Sequence, residues 1–327
     1  MSEPAPQPED PPVEAAHGFR AGLVALCGRP NVGKSTLLNA LVGCELAVAT
    51  RLPQTTRERM LGVWSTDDFQ AVLVDTPGIH RARSALNNYM VQEAIRGASG
   101  VDLVLLLAEI PMLGDDARAW SPGEGARGAL TVLEQLGRPI GLVLTKVDRI
   151  GDRRRLLPVI DRWATLHEFA FVIPVSAVTG EGLDALQAEV VARLPEGPPL
   201  FDPDQLSERP TRWHAGERVR AAIFAEVGQE LPYSCAVTIE SYKERERPPR
   251  DIIHATVHVE RDSQKKILVG KGGATIKAIS MRAREDIARF TGRRCDLFLT
   301  VRVTRNWTRD ETLLARLGYH EPIGGET

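Results

Sequence analysis

Gly28-Arg29-Pro30-Asn31-Val32-Gly33-Lys34-Ser35 reads G-x-x-x-x-G-K-S, and the apolar run from Ala21 to Cys27 stands directly before it. A strand that runs into a glycine-rich turn and then a helix is the setting in which this pattern cradles phosphates. The glycines let backbone N–H groups close on an anion with no Cβ in the way. Lys34 is expected to reach the β- and γ-phosphate oxygens, and the Ser35 hydroxyl to hold Mg²⁺. The helix that follows, read as Thr36 to Val42, points the positive end of its dipole at the same anion. Arg29, Pro30, Asn31, Val32 and Thr36 complete the expected phosphate-binding set, and the implied ligand is a nucleoside triphosphate.

Three further segments choose the base. Val72-Leu73-Val74 runs into Asp75-Thr76-Pro77-Gly78, which puts a carboxylate at a strand end. Asp75 there can hold Mg²⁺ through water, and the Gly78 N–H can meet a γ-phosphate. Ile140 to Leu144 is a second buried-strand pattern, ending in Thr145-Lys146-Val147-Asp148. The Asp148 carboxylate can accept two hydrogen bonds from the N1 and N2 donors of guanine, which adenine lacks. Phe171 to Val175 is a third, ending in Ser176-Ala177, whose backbone N–H groups are candidates for the guanine O6. Each tetrapeptide alone is a weak signal, because Asp at a strand end commonly caps a turn. Their order is the strong one: open α/β sheets bind ligands at the carboxyl ends of their strands. The set reads GTP.

At this point the chain resembles the translation-factor-like branch of P-loop GTPases, and within it the Era family of bacterial GTPases with an appended KH domain. The residues that carry the resemblance are Gln54-Thr55-Thr56-Arg57 in the first switch and Asp75-Thr76-Pro77-Gly78 in the second. Beyond the GTPase half they are Glu230-Leu231-Pro232-Tyr233-Ser234, Gln264-Lys265-Lys266 and Gly270-Lys271-Gly272-Gly273. The resemblance spans roughly residues 20–320. It implies an α/β P-loop GTPase domain, with a mostly parallel sheet and helices on both faces, followed by an α+β type II KH domain. It also implies GTP hydrolysis to GDP and phosphate at a slow intrinsic rate. The implied partners are the 3′ end region of small-subunit ribosomal RNA and the small ribosomal subunit during its assembly.

Two positions depart from common GTPase usage. Thr145 stands where Asn is usual in Asn-Lys-x-Asp. That Asn mainly ties the phosphate loop to the base loop, and a Thr hydroxyl can make one such hydrogen bond. GTP specificity is therefore expected to survive through Lys146 and Asp148, with nucleotide affinity the quantity affected. Ile79 follows Gly78 where Ras-like enzymes place a Gln to orient the attacking water. Ile has no polar atom for that task, although Era-like proteins also have an apolar residue here. Catalysis is then expected from Lys34, from Mg²⁺ on Ser35, Asp75 and a switch Thr, and from the backbone at Gly78. Spacing does not separate Thr55 from Thr56, and Thr56 is the preferred assignment. Asn31 is either a turn former or a ligand that holds K⁺ between the phosphates, as in related GTPases. The second reading expects hydrolysis to be faster in K⁺ than in Na⁺.

Charge divides the chain. Residues 1–209 carry 20 Lys/Arg against 27 Asp/Glu, whereas residues 210–327 carry 21 against 16. Residues 263–309 alone hold twelve basic and three acidic residues. A charge run by itself is usually a solvated face. Here it surrounds Gly270-Lys271-Gly272-Gly273, a G-x-x-G with Ile267-Leu268-Val269 before it. Ile276, Ile279, Ile287 and Phe290 follow at helical spacing between Ala274 and Phe290. A helix–GxxG–helix element is the KH clamp, whose glycines let a sugar-phosphate backbone approach closely. Lys265, Lys266, Lys271 and Lys277 are the expected phosphate partners. Around them the pattern predicts a helix from about Arg212 to Val227 and strands at Ser234–Tyr242, Ile252–Glu260 and Asp296–Val303. That order, α-β-β-α-α-β, is the type II KH arrangement.

The remaining segments organise the rest. Residues 1–18 are Pro-rich and acidic and are expected to be a disordered tail. Residues 19–195 form the GTPase domain, 196–210 a Pro-rich linker, 211–305 the KH domain and 306–327 a C-terminal tail. Trp307 and Tyr319 in that tail either help hold RNA or pack on the KH sheet. Cys27, Cys44, Cys235 and Cys295 lack metal-site spacing and read as reduced thiols. No run has the length of a membrane span, and the expected chain is a cytoplasmic monomer. Two alternatives stand beside the switch: a constitutive RNA-binding adaptor with incidental GTP hydrolysis, and a signalling GTPase associated peripherally with the inner face of the cell membrane.

Overall fold

The structure is a computed structural model and describes residues 18–48, 57–78, 85–110, 121–227 and 231–319. Thr55, Thr56, Ile79 and the N-terminal tail up to residue 17 lie outside the described residues. The first half is one six-stranded sheet in the order β2-β3-β1-β4-β5-β6. Its strands are β1 (Arg20–Gly28), β2 (Met60–Ser65), β3 (Phe69–Asp75), β4 (Leu103–Glu109), β5 (Ile140–Thr145) and β6 (Phe171–Val175). Only β2 runs antiparallel, and its mixed sequence carried no expectation of a strand. Leu103, Val104, Leu105, Leu106 and Leu107 of β4 are all at most 2% exposed, as a central strand covered on both faces requires. Each such side chain contributes about 1.5–3 kcal/mol by leaving water.

Helices α1 (Lys34–Val42) and α5 (Leu183–Val191) cover one face. Helices α2 (Ala85–Ala98), α3 (Glu124–Glu134) and α4 (Leu156–Ala164) cover the other. The order reverses at β1, between β3 and β4, which makes the carboxyl end of β1 a topological switch point.

The second half is α6 (Thr211–Glu226), β7 (Cys235–Glu246), β8 (Pro249–Val259), α7 (Asp262–Val269), α8 (Ala274–Thr291) and β9 (Arg294–Val303). β7 pairs antiparallel with β8, and β8 pairs parallel with β9. Ile279, Ala283 and Ile287 of α8 and Val219, Ala222 and Ile223 of α6 are buried together against the sheet. The order is the one the periodicity predicts.

Residues 196–210 are tied to the sheet at several points. Leu206 O accepts from Val63 N at 3.0 Å, which extends the β2 edge by one bridge. The buried Gln70 amide donates to Phe201 O at 2.9 Å and accepts from Leu200 N and Phe201 N at 2.7 and 2.9 Å. The halves then meet around Glu58, Arg209 and Trp213. Trp213 Nε1 donates to Glu58 Oε2 at 3.3 Å, and Arg209 lies 3.4 Å from the same carboxylate.

Burial pushes the Glu58 carboxyl up to about 7, with Arg209 opposing. Its folded value lies above the unfolded one, so the folded state keeps a proton that the unfolded chain loses. The associated stability is full below pH 4.5 and is lost as pH rises through 7. The expected loss is on the order of 3 kcal/mol, from about 1.4 kcal/mol per unit. Denaturant melts of Glu58→Gln between pH 5 and 8 should be flatter with pH than those of the wild type. An unchanged slope would show that Glu58 does not titrate in this way.

The C-terminal segment carries one more helix, α9 (Glu311–Arg316), capped by Asp310, which accepts from Thr312 N and Leu313 N. Trp307 is fully buried and Tyr319 is 8% exposed. They pack with Ala236 of β7 and with Met90 of α2, between the two halves. Both rings are buried, and the packing expected on the KH sheet extends to the first half as well.

Candidate functional site

Strand register delivers the candidate residues to one edge. Leu26 of β1 lies beside Asp75 of β3, Glu109 of β4 beside Thr145 of β5, and Thr145 beside Val175 of β6. The phosphate loop leaves β1 at Gly28, and α1 begins at Lys34, two residues before the predicted start. Apolar periodicity begins only at Leu37, but the first helical turn is free to be polar because its N–H groups have no partner within the helix.

Lys34 is 6% exposed, and its ammonium donates to Arg29 O at 3.2 Å and lies 3.4 Å from Gly28 O. Burial lowers its pKa, while Asp75 and Cys27 oppose that shift. Burial also pushes the Cys27 thiol up to about 11, so it stays protonated and inert. Ser35 Oγ donates to Asp75 Oδ2 at 2.9 Å. A hydroxyl and a carboxylate oxygen side by side are hard oxygen donors that fit Mg²⁺. Gly78 lies against the loop: a Cβ there would fall 2.7 Å from Pro30 nitrogen, Cγ and Cδ. Any side chain would lift the second switch off the phosphate loop.

At the base end Thr145 Oγ1 donates to Val32 O at 2.6 Å, with Ala108 O at 3.3 Å. The single hydrogen bond expected of a Thr at this place is present. Lys146, at φ 64°, donates to Asn31 O at 2.7 Å and to Glu109 Oε2 at 2.8 Å. Asn31 is itself left-handed, at φ 64°, and exposed. Glu109 also pairs with Arg149 at 2.8 Å. Sequence reasoning missed this role of Glu109, and its only signal was an acid closing an apolar run.

Ser176 Oγ donates to Asp148 Oδ1 at 2.7 Å, which orients the carboxylate. The Ser176 N–H already donates to Glu181 O at 2.9 Å, so it is not available to a base oxygen. That corrects the expected role of Ser176 and leaves Ala177 as the backbone candidate.

The second cluster lies on the KH half. α7 ends at Gly270, and a 3₁₀ turn at Lys271–Gly273 leads into α8. Gly270, Gly272 and Gly273 have φ of 72°, 61° and 84°, a run that only glycines adopt without strain. Lys265, Lys266, Lys271 and Lys277 are all exposed around this turn. Of the apolar run before it, Leu268 is buried but Ile267 is 54% exposed, which gives the charged surface an apolar member. Gln264 ties two of the signature stretches together. Its Nε2 donates to Ser234 Oγ at 2.7 Å, and its Oε1 accepts from Glu260 N and Arg261 N at 2.9 Å each.

Comparisons with known proteins agree with this geometry. Residues 23–146 match the family model described as a 50S ribosome-binding GTPase, and residues 230–308 match that of a KH domain. The GTPase Era of Syntrophus aciditrophicus is 41% identical over 306 residues, covering 93% of this chain and 96% of that protein. The crystal structure of a point variant of Aquifex aeolicus Era bound to GDP·AlF₄⁻ superposes with a TM-score of 0.84 at 34% identity. That match covers 92% of this chain and 99% of the other. A structure of Era with MgGDPNP and nucleotides 1506–1542 of 16S ribosomal RNA superposes with a TM-score of 0.85, again at 34% identity and with the same coverage. A P-loop edge on a six-stranded sheet, a G-x-x-G turn on a second domain and this likeness along nearly the whole length assign the chain to the Era family of GTPases.

Proposed function

We propose that the chain is a GTP-driven switch whose KH half binds the 3′ region of small-subunit ribosomal RNA and acts in assembly of that subunit. The observation that carries this reading is the joint presence of the phosphate-loop edge and the exposed G-x-x-G turn. Both lie on a chain that superposes along 92% of its length on an Era bound to MgGDPNP and 16S nucleotides.

In hydrolysis, water attacks the γ-phosphorus of GTP and GDP leaves, so the protein must position the phosphates and neutralise developing charge. Lys34 and the backbone N–H groups of the loop, to which Pro30 contributes none, do this at the phosphates. The Gly78 backbone lies close against Pro30 of the phosphate loop, and its N–H is the candidate donor to the γ-phosphate. Ser35 and Asp75 would hold Mg²⁺, with Thr56 the candidate switch ligand, and the ion would supply further neutralisation. Asp148, oriented by Ser176, accepts from guanine N1 and N2, with Ala177 N–H for O6. Lys146 and Thr145 fasten this base loop to the phosphate loop.

Asn31 is an exposed phosphate-loop residue whose amide oxygen is a donor type that fits K⁺. Hydrolysis is therefore expected to be faster in KCl than in NaCl at matched ionic strength, and equal rates would remove K⁺ from the site. A peripheral position on the membrane is a weaker reading, because lipid binding needs charge but no G-x-x-G. Among the described residues, no helix is long and apolar enough to cross a membrane.

The test is binding of a labelled RNA carrying the small-subunit 3′ end, with the protein loaded first with a non-hydrolysable GTP analogue and then with GDP. Tighter binding in the first state is the expected result. Equal binding would favour a constitutive adaptor.

A further inference from the structure

We infer that Arg57 is a positioning residue that carries the state of the nucleotide site to the KH half through Trp307 and Tyr319. The inference rests on the switch reading above and names the contact that would transmit it.

Arg57 follows Thr56, the candidate Mg²⁺ threonine, directly in the chain. Arg57 is 2% exposed, yet its Nη1 reaches the other half of the molecule. Nη1 donates to Cys235 O, at the start of β7, at 2.7 Å, and lies 3.1 Å from Tyr319 Oη. The guanidinium carbon lies 5.9 Å from the centre of the Trp307 ring and 6.0 Å from that of Tyr319. Those two rings stack 5.9 Å apart at 13°. A buried guanidinium tolerates no half-broken state, because any donor that loses its partner leaves charge unsolvated. Arg57 therefore occupies this place fully or leaves it.

The second switch reaches the same cluster independently. Helix α2 is the first described element after Gly78, and its Met90 is fully buried against Trp307 and Tyr319. Tyr89 meets the Tyr319 ring edge-on at 5.9 Å. From the cluster a continuous path leads to the G-x-x-G turn. Trp307 Nε1 donates to Ser234 O at 3.1 Å, Ser234 Oγ accepts from Gln264, and Gln264 lies on α7, which ends at Gly270. Both switches thus bias one packed element that touches the base of the clamp, which is the physical requirement for coupling.

The test measures two ratios in wild type, Arg57→Ala, Arg57→Lys and Tyr319→Phe. One is RNA affinity with a GTP analogue against that with GDP. The other is GTP hydrolysis with RNA against that without it. A wild-type affinity ratio on the order of 5–150 is expected for coupled sites. Arg57→Ala should bring both ratios towards one while hydrolysis without RNA stays near the wild-type rate. Tyr319→Phe keeps the ring stack and removes one acceptor, so it stays folded and should lower the ratios partway. Arg57→Lys keeps the charge without the planar fork and should also fall between. If wild type discriminates and both Arg57→Ala and Tyr319→Phe discriminate equally well, the contact is packing only and this inference falls, with the switch reading intact. If wild type shows no discrimination, the switch reading fails and the inference with it.

Discussion

Asp148→Asn should turn a guanine site into a xanthine site. In the proposed site the carboxylate would accept from two donors on the guanine edge, and an amide in its place offers one acceptor and one donor. Ser176 Oγ donates to Oδ1, so the oxygen of the new amide stays on the Ser176 side and its NH₂ turns to the base. That group opposes the guanine N2 amine but meets the xanthine O2. Two charge-assisted hydrogen bonds at about 1.5–3 kcal/mol each predict a loss in GTP affinity of roughly 10²–10⁴-fold. Competition of labelled GTP by GTP and by XTP measures it directly. A variant that keeps full GTP preference would show that the base is bound elsewhere.

The second large effect is expected on the KH half. Replacing Lys271 and Gly272 together by Asp removes one positive charge and adds two negative ones at the turn where the clamp would hold phosphates. Gly272 has no atom within 4 Å of a built Cβ, so the new side chain fits in space. Its φ of 61° is one that Asp tolerates better than most residues. RNA affinity should fall by about 10²-fold or more, since each lost charge-assisted contact counts for about 1.5–3 kcal/mol. GTP hydrolysis without RNA should remain near normal, because no phosphate-loop residue is touched. Electrophoretic mobility shift and a phosphate-release assay separate the two readouts. Loss of both would indicate a misfolded variant or a shared site.

Particular elements show why some of this was legible beforehand. β1, β3 and β5 read correctly because inner strands of the sheet are continuous apolar runs, and the edge strand β6 because it too is a short apolar run. Asp75, Thr145 and Ser176 stand at or just beyond the ends of β3, β5 and β6. α8 read correctly because a helix against one sheet buries every third or fourth residue. β2 did not, because an edge strand needs no such run: Gly62 and Ser65 interrupt it, and β3 on one side and residues 206–207 on the other hold it. Residues 196–210 announced a connection through their prolines, yet only the buried Gln70 amide shows that the segment is pinned to the sheet. The Ser176 amide looked available until the turn that brings back Glu181 consumed it.

By itself the sequence determined the two domain types, the order of the KH elements, the phosphate-loop pattern and the candidate Asp for the base. Those features are local: a strand, a turn and a helix lie side by side in the chain, and their periodicity states which face is buried. Only the tertiary structure decided where Arg57 goes, and that Trp307 and Tyr319 join the halves. It also decided that the Thr145 hydroxyl fastens the base loop to Val32. Arg57 and Tyr319 are 262 residues apart, and Thr145 and Val32 are 113 apart. No pattern of local spacing encodes such pairs, because they form only when separately folded layers bury their remaining polar groups against each other.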